Sequence, residues 1–305
     1  MPEFLGVDTS NYTTSLALSR DGEITKNLKK LLDVKEGQRG LRQSDAVFAH
    51  TVNLPGLFDE MGKISPGAVG VSVSPRDAAG SYMPCFLAGI SCASAVSSSF
   101  GVPLYRFSHQ AGHIAAALYS CGAETLIHGR FLAFHVSGGT TEVLLSDNMT
   151  ITRLGGTKDI SAGMAIDRTG VLLGLKFPCG KELEALAGDM PQNVKPGKIS
   201  VTGLDCNLSG LENKVAGLIS SGADRQYIAA YVLSFVCAVI GRMAENALSG
   251  YPGLPVIFSG GVMSNRFMKR ELGEKYGGYF AMPEFSCDNA AGIARLTEMK
   301  HCGEI

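Results

Sequence analysis

Two histidines four residues apart, His109 and His113, stand in the segment Ser108-His109-Gln110-Ala111-Gly112-His113. On a helix this spacing places both imidazoles on one face, as in helical metal sites. The alternative is a surface or capped histidine pair, so a third ligand is needed. The best candidate is Asp288, which lies between a turn and an apolar helix and could instead cap that helix. Two histidines and one aspartate with open positions would suit Fe(II) or Zn(II) and leave room for a substrate oxygen.

Two Ser-Gly-Gly turns, at 137–139 and 259–261, each follow an apolar strand. Glycine lets the backbone approach a ligand closely and point its N–H groups at an anion. A third turn, within 8–15, is rich in hydroxyl groups. One such turn alone is better interpreted as an ordinary hairpin, whereas the three together favour a nucleotide phosphate site. None matches the P-loop or the GxGxxG pattern, so neither of those folds is indicated.

Two acids could contact the ribose of a nucleotide, Asp167 and Glu184. An exposed helix charge is the alternative for both, and spacing alone does not decide between the two. Thr157, Asp159 and Ser161 are candidate caps for the helix that carries Asp167. The sequence contains no GxSxG, HExxH or Cys/His protease motif, so no catalytic residue is assigned.

The order of apolar runs and turns predicts an α/β protein with two similar halves. A strand, a hydroxyl-rich turn, a second strand and an Asp-containing turn occur at 4–22 and again at 131–148. We predict an N-terminal lobe over 1–118, a C-terminal lobe over 119–288, and a C-terminal helix, 289–305, that packs back on the first lobe. Further predicted elements are helices at 44–62 and 85–99, strands at 67–74, 102–105 and 254–258, and a helix-rich middle over 161–251.

The charge balance and the cysteine content exclude some classes of protein. The 305 residues include 27 Lys and Arg against 28 Asp and Glu, a net charge of −1. This balance excludes a uniformly basic nucleic-acid surface, although a local basic patch is compatible with it. Eight cysteines without a CxxC pair in a chain of this length indicate reduced thiols and a cytoplasmic location.

Two long stretches without charged residues could be mistaken for membrane-spanning helices. Residues 78–105 contain six serines and an internal proline, and residues 226–241 number only 16. A membrane-spanning helix needs about 20 predominantly apolar residues. We therefore predict two buried helices and no membrane partner.

Eight short motifs occur in the order in which one enzyme family carries them. They are Leu5-Gly6-Val7-Asp8-Thr9-Ser10 for its first phosphate hairpin, His109 to His113 for HxEGH, 136–141 for VSGGHT, 161–167 for AAGEAFD, 172–180 for LLGLxYPGG, 208–211 for FSGLK, 259–265 for SGGVAAN and 288–291 for DNAAM. On these motifs, which cover nearly the whole chain, the sequence resembles the TsaD/Kae/Gcp family. Its members are tRNA threonylcarbamoyladenosine transferases, formerly named O-sialoglycoprotein endopeptidases or glycoproteases.

The resemblance implies the fold of actin, hexokinase and heat-shock ATPases, with two similar α/β lobes and a nucleotide cleft between them. It implies transfer of a threonylcarbamoyl group from its adenylate to N6 of an adenosine in the tRNA anticodon loop. Its implied metal ligands are His109, His113 and Asp288, holding one divalent iron or zinc ion, and its implied nucleotide is ATP or an AMP-containing adenylate. The implied nucleotide contacts are Ser137, Gly138, Gly139, Asp167, Gly180, Glu184 and Asn265. The carbamoyltransferase HypF shares a related module, which widens the range of acceptors.

The sequence departs from the family at three polar positions, where Ala111 replaces the glutamate of HxEGH, Thr140 the histidine of VSGGHT and Met164 the glutamate of AAGEAFD. The segment 74–80 also differs from the family's GPGL loop. We interpret the chain as a divergent paralogue, a metal-dependent carbamoyl- or threonylcarbamoyltransferase. Its expected partners are a nucleotide, tRNA, and an accessory protein or a second copy of the chain.

Two other functions compete with this one. A non-catalytic ATP-binding paralogue that partners or regulates a true family enzyme would account for the lost polar residues. A metallo-glycoprotease is disfavoured, because two histidines and an aspartate lack an obvious acid to activate water.

Overall fold

An antiparallel hairpin opens the chain, because two apolar runs flank a polar turn and Asp21-Gly22 provides the next turn at positive φ. The protein is described by a computed structural model over residues 2–10, 12–33 and 41–305. Asn11 of the predicted hydroxyl-rich turn lies outside the described residues. The chain divides into two compact units, Met1–His128 with Asp288–Ile305, and Gly129–Cys287. Residue 118, the predicted end of the first lobe, lies inside a helix of the first unit.

The elements of the first unit alternate between strands and helices. In chain order they are β1 (Glu3–Asp8), β2 (Thr13–Arg20), β3 (Glu23–Leu31), α1 (Gln43–Met61), β4 (Pro66–Ser74), α2 (Phe86–Phe100), β5 (Leu104–Ser108) and α3 (His109–Ser120).

The second unit follows the same plan with a longer helical insertion. Its elements are β6 (Arg130–Val136), β7 (Thr141–Asp147), β8 (Thr150–Gly156), α4 (Ala162–Leu172), α5 (Gly180–Ala187), β9 (Ser200–Thr202), β10 (Asp205–Asn207), α6 (Gly210–Ser220), α7 (Arg225–Gly250), β11 (Val256–Ser259), α8 (Arg266–Tyr276) and β12 (Tyr279–Phe280). The last helix, α9 (Ala291–His301), belongs to the first unit.

The two main sheets share one topology. The first has the order β3-β2-β1-β4-β5, and the second has the order β8-β7-β6-β11-β12 when read from its antiparallel edge. In each, three antiparallel strands are continued by two parallel ones. The predicted repetition of an α/β half is thus confirmed. The strands β3 and β8, which complete each meander, and the short hairpin β9–β10 inside the helix-rich middle were not predicted.

Helix α9 lies so close to the first sheet that two strand positions admit only glycine. A Cβ atom at Gly6 would lie 2.5 Å from both the carbonyl oxygen of Ala290 and the backbone nitrogen of Ala294. At Gly70 it would lie 1.8 Å from Oγ1 of Thr297. The end of the chain is therefore built into the core of the first unit.

Helix α7 forms the centre of the second unit's core, where it packs among the apolar residues of the sheet and of α4–α6. The helix has 26 residues and extends beyond the uncharged stretch 226–241. The prediction that it is too short to span a membrane is therefore wrong. By length and composition it could cross one, but 78% of its most apolar 18-residue window is buried. The prediction of a buried helix is confirmed here. Helix α2 is buried on one face only, since Leu87 and Phe100 are exposed.

A buried ion cluster fastens α9 to the rest of the first unit. The Arg295 guanidinium, which is 5% exposed, donates hydrogen bonds to the carboxylates of Glu124 and Glu298. Glu298 also accepts from the hydroxyl of Ser19 and, at 2.9 Å, from the backbone nitrogen of Gly22. Since these charges are paired away from water, removing the cation would leave a buried carboxylate uncompensated.

We expect Arg295→Met to lower the free energy of unfolding by about 3–5 kcal/mol, the usual cost of breaking a buried ion pair. Arg20→Met is the matched control in the same unit, because Arg20 pairs with Glu3 while its own side chain is 45% exposed. Its expected cost is about 0–1 kcal/mol. Urea unfolding of both variants is the measurement, and equal losses would contradict a stabilising role for the cluster.

Candidate metal centre and nucleotide pocket

Helix α3 begins at His109 because Ser108 caps it. The Ser108 hydroxyl accepts from the backbone nitrogen of Ala111 at 3.1 Å and donates to the Asp77 carboxylate at 2.9 Å. His109 and His113 lie one turn apart with ring centroids separated by 4.3 Å. The predicted common face of the two histidines is therefore confirmed.

Asp288 meets this pair from a segment 175 residues further along the chain. Its Oδ1 lies 3.2 Å from Nε2 of His113 and 3.6 Å from Nε2 of His109. One ligand atom from each of the three side chains lies within 4.8 Å of the others. The alternative interpretation of Asp288 as a helix cap is wrong, because α9 begins at Ala291 and its N-cap is Ala290.

Two glycines set the spacing of this cluster. A Cβ atom at Gly292 would lie 1.8 Å from the carbonyl oxygen of Gly112, and one at Gly112 would lie 2.9 Å from Cδ1 of Ile293. The backbones of α3 and α9 therefore touch where the helices cross. At this crossing α3 carries the two histidines, and α9 begins just after Asp288. A larger residue at the crossing would separate the ligand atoms.

A fourth side chain, Asp8 at the end of β1, adds a second carboxylate beside His109. Its Oδ2 lies 2.8 Å from Nδ1 of His109. Burial alone would lower the pKa of His109, but the Asp8 and Asp288 carboxylates outweigh burial and raise it to about 10. Burial would raise the pKa of Asp288 and of Asp8, yet the neighbouring imidazoles, with a hydrogen bond from Ser10 to Asp8, hold both below the usual range. Two ionised carboxylates thus enclose this site.

The residues present fit a divalent metal ion. Two imidazole nitrogens and one carboxylate oxygen form a donor set that Fe(II) and Zn(II) accept, with coordination positions left over for other ligands. The three side chains are only 10–23% exposed. That a metal binds here remains a prediction.

A cavity of about 440 Å³ lies in the second unit. Five of the seven predicted nucleotide contacts line it: Gly138, Asp167, Gly180, Glu184 and Asn265. The other two, Ser137 and Gly139, neighbour Gly138 in the turn after β6 but do not line the cavity. The structure therefore collects residues from four separate segments around one space, and their role in binding a nucleotide remains a prediction.

Close backbone packing places the turn after β6 against α4. A Cβ atom at Gly163 would lie 2.6 Å from Cα of Gly138. Ser161 caps α4 by accepting from the backbone nitrogen of Met164 at 3.1 Å, and its hydroxyl donates to the carbonyl oxygen of Gly138. Of the candidate caps, Ser161 fills the role. Thr157 bonds to Asp159 and Ile160 within the same loop, and Asp159 accepts hydrogen bonds from Leu208 and Ser209.

The polar side chains at the cavity are held by backbone groups. The Asp167 carboxylate accepts from the backbone nitrogen of Cys179 at 2.7 Å, and burial raises its pKa. Glu184 accepts from the backbone nitrogen and from Nε of Arg266 at 3.0 and 3.2 Å. Asn265 caps α8 by accepting from Met268 at 3.0 Å. These contacts fix the side chains before any ligand arrives.

Two residues near these sites were not predicted from the sequence as site residues. Lys181 is the only cation among the described residues that line the cavity. Its position directly after Gly180, at the start of α5, was the available signal. Asp8 was noted only within the hairpin motif, since nothing in the spacing of residues 8 and 109 indicates their contact.

The three departures from the family pattern lie beside the ligand positions. Ala111 is buried in the first turn of α3, and Met164 is 39% exposed in the first turn of α4. Thr140 closes the turn after β6, where its backbone nitrogen donates to Oγ of Ser137 at 3.1 Å. None of them displaces a predicted ligand.

A family model described as TsaD, tRNA N6-adenosine threonylcarbamoyltransferase, matches residues 72–295, well over half of the chain. The chain belongs to the TsaD family. A relative named tRNA N6-adenosine threonylcarbamoyltransferase from Thermus thermophilus is 30% identical over 312 residues, covering 97% of this chain and 92% of the relative. The resemblance drawn from the motifs is confirmed.

Solved structures agree on the fold. HypF in its phosphate- and nucleotide-bound form aligns with a TM-score of 0.59 at 13% identity, over 98% of this chain and 55% of HypF, so the chain spans about half of HypF. A ROK family glucokinase from Streptomyces griseus aligns with a TM-score of 0.54 at 12% identity, over 97% of this chain and 99% of the kinase. At these identities the likeness concerns the fold alone. It confirms the predicted class, two α/β lobes of the actin, hexokinase and heat-shock ATPase type.

We expect Gly292→Ala to weaken metal binding and to destabilise the first unit, because the added methyl group collides with the backbone of α3. Gly303→Ala tests a glycine of the same unit that has open space around it but a positive φ. It should cost stability through backbone strain without altering metal affinity. Zinc titration and urea unfolding are the measurements. Unchanged zinc affinity in Gly292→Ala would show that the helix crossing does not set the ligand geometry.

Asp159, in the loop before α4, predicts a pH dependence of stability. Burial would raise its pKa, but hydrogen bonds from Leu208 and Ser209 outweigh burial and lower it from 3.8 to about 2. The ionised form is therefore favoured by folding, and its contribution is complete above pH 3.8 and fades as the pH falls through about 2.

We expect Asp159→Asn to lower the free energy of unfolding by about 1 kcal/mol at neutral pH, because hydrogen bonds to a charged acceptor are weakened and solvent screening at this exposed residue keeps the loss small. The difference from wild type should narrow as the pH falls from 3.8 to about 2. Asp147→Asn, which removes an acid half exposed to solvent in the same unit, is the control. Urea unfolding across this range is the measurement, and a constant difference would refute the assignment.

Proposed function

We propose that this protein transfers a threonylcarbamoyl group from its adenylate to N6 of an adenosine in tRNA. The observation that carries the proposal is the convergence of His109, His113 and Asp288 in a chain of the TsaD family. The named relatives are tRNA N6-adenosine threonylcarbamoyltransferases. The proposed partners are accordingly a threonylcarbamoyl-adenylate as donor and tRNA as acceptor.

The three side chains would hold one divalent iron or zinc ion. Such an ion, when bound, polarises a carbonyl or acyl-phosphate oxygen as a Lewis acid. With the ion bound, His109 and His113 would be the neutral donors and Asp288 the charged one. Asp8 keeps the His109 ring in place at 2.8 Å.

The cavity of the second unit would bind the AMP part of the donor. Asp167 and Glu184 offer carboxylates to ribose hydroxyls, and the glycines after β6 and β11 allow the ligand to approach the backbone. Lys181, at the first turn of α5, offers a positive charge to the phosphate. The AMP that leaves is a stable anion, so the chemical demand on the protein is to orient the donor and to stabilise developing charge.

We expect Asp288→Asn to lose the metal and to slow transfer about 100-fold or more, the scale of losing one group that stabilises transition-state charge. Its affinity for AMP should be unchanged, because Asp288 does not line the cavity. Elemental analysis, calorimetry with AMP, and mass spectrometry of nucleosides from tRNA treated with synthetic threonylcarbamoyl-adenylate are the measurements. Asp147→Asn, a surface acid, serves as the control for the amide substitution.

The outcome also decides between the proposal and the main alternative. Transfer activity that depends on the metal supports the proposal. AMP binding by a wild-type protein that holds metal but modifies no tRNA would refute it and favour a non-catalytic, nucleotide-binding paralogue.

A further inference from the structure

Asp8 is the most deeply buried charged side chain of the metal centre, with 1% of its surface exposed. Both of its carboxylate oxygens have partners. Oδ1 accepts from the backbone nitrogen of Ser10 at 2.8 Å, and Oδ2 faces Nδ1 of His109 at 2.8 Å. Both oxygens are thus engaged within the protein, and Asp8 does not belong to the group of three ligand atoms.

The contact decides the tautomer of the neutral His109 ring, the form in which a histidine binds a metal. An ionised carboxylate can only accept, so Nδ1 must donate its hydrogen to Oδ2. The other nitrogen, Nε2, is the one that faces Asp288 at 3.6 Å. The ring is also confined by the Phe86 ring, with centroids 6.4 Å apart, and by the His113 ring at 4.3 Å. His109 is thus held in a single orientation, with Nε2 available as a ligand.

We propose that Asp8 is a positioning residue of the metal centre, which fixes the tautomer and orientation of His109 without binding the metal itself. This inference rests on the proposed function, because it presumes that His109, His113 and Asp288 bind a metal. A carboxylate on the second nitrogen also raises the basicity of the ligating one. The first turn of the chain, predicted from its hydroxyls as part of a phosphate site, would then have a second role in metal binding.

The test is the affinity for Co²⁺ and Zn²⁺, measured by titration of metal-free protein against a competing chelator. Asp8→Asn should raise the dissociation constant about 10- to 100-fold, the usual effect of removing such a partner. The visible spectrum of the Co²⁺ protein should also change, since His109 is no longer held to one tautomer. Calorimetric unfolding is recorded in parallel to show that the variant is folded.

Glu298→Gln is the matched control. It makes the same change from a carboxylate to an amide in the same unit, and Glu298 is 6% exposed but bonds to Ser19, Gly22 and Arg295 rather than to the ligands. We expect it to lose stability but to keep the metal affinity and the Co²⁺ spectrum of wild type. Equal losses of affinity in both variants would mean that Asp8 acts only on stability and would overturn the inference.

The two proposals fail in different ways. Wild-type protein that binds neither Co²⁺ nor Zn²⁺ would remove the metal from the proposed function. Wild type that binds them, with Asp8→Asn equally tight, would overturn the role of Asp8 alone.

A measurement on wild type covers the case in which Asp8→Asn does not fold. Nitrogen-15 NMR of the Zn²⁺ protein, with His109 assigned by comparison with His109→Gln, reports which ring nitrogen carries hydrogen. Hydrogen on Nδ1 supports the inference, and hydrogen on Nε2 would overturn it.

Discussion

The crossing of α3 and α9 at Gly112 and Gly292 is the constraint on which the candidate metal centre depends. A Cβ atom at Gly292 has no space, since it would lie 1.8 Å from the carbonyl oxygen of Gly112. Helices at this distance bring the start of α3, with its two histidines, beside the segment that precedes α9. Because Gly6 also lets the start of α9 lie against the backbone of β1, the position of Asp288 is set by close packing on two sides.

This packing explains why the end of the chain belongs to the first unit. Helix α9 contributes Arg295 and Glu298 to a buried ion cluster on the β2–β3 turn, while the residues just before α9 contribute Asp288. Arg295 and Glu298 therefore fasten α9 to Glu124 and to the β2–β3 turn, and Asp288 holds the segment before α9 against α3. The hairpin itself carries Asp8 at its first turn, so sheet, hairpin and both helices meet at the site.

Sequence patterns predicted the parts of the fold that repeat or that are strongly apolar. The two strand–turn–strand segments predicted the two halves, and the paired histidines predicted two candidate ligands on one helix face, because the periodicities of strands and helices are local. They missed β3, β8 and β9–β10, since β3 reads Glu-Ile-Thr-Lys-Asn-Leu-Lys-Lys-Leu and β9 and β10 have three residues each. The contact of Asp8 with His109 spans 101 residues, and no local pattern encodes it.

The departure from the family pattern at Ala111 changes the charge of α3 rather than the predicted donor set. In HxEGH a glutamate occupies the position of Ala111, which is buried in the first turn of α3, two residues from each histidine. Residues two apart on a helix do not share a face, so a carboxylate at position 111 would add a buried negative charge to α3 without facing the histidines. With alanine, one divalent cation would balance both carboxylates while the imidazoles stay neutral. An adenylate is itself an anion, and like charges repel most strongly where water is excluded. The substitution at Ala111 thus removes a negative charge from α3, which would favour the proposed anionic donor, while every predicted ligand stays in place.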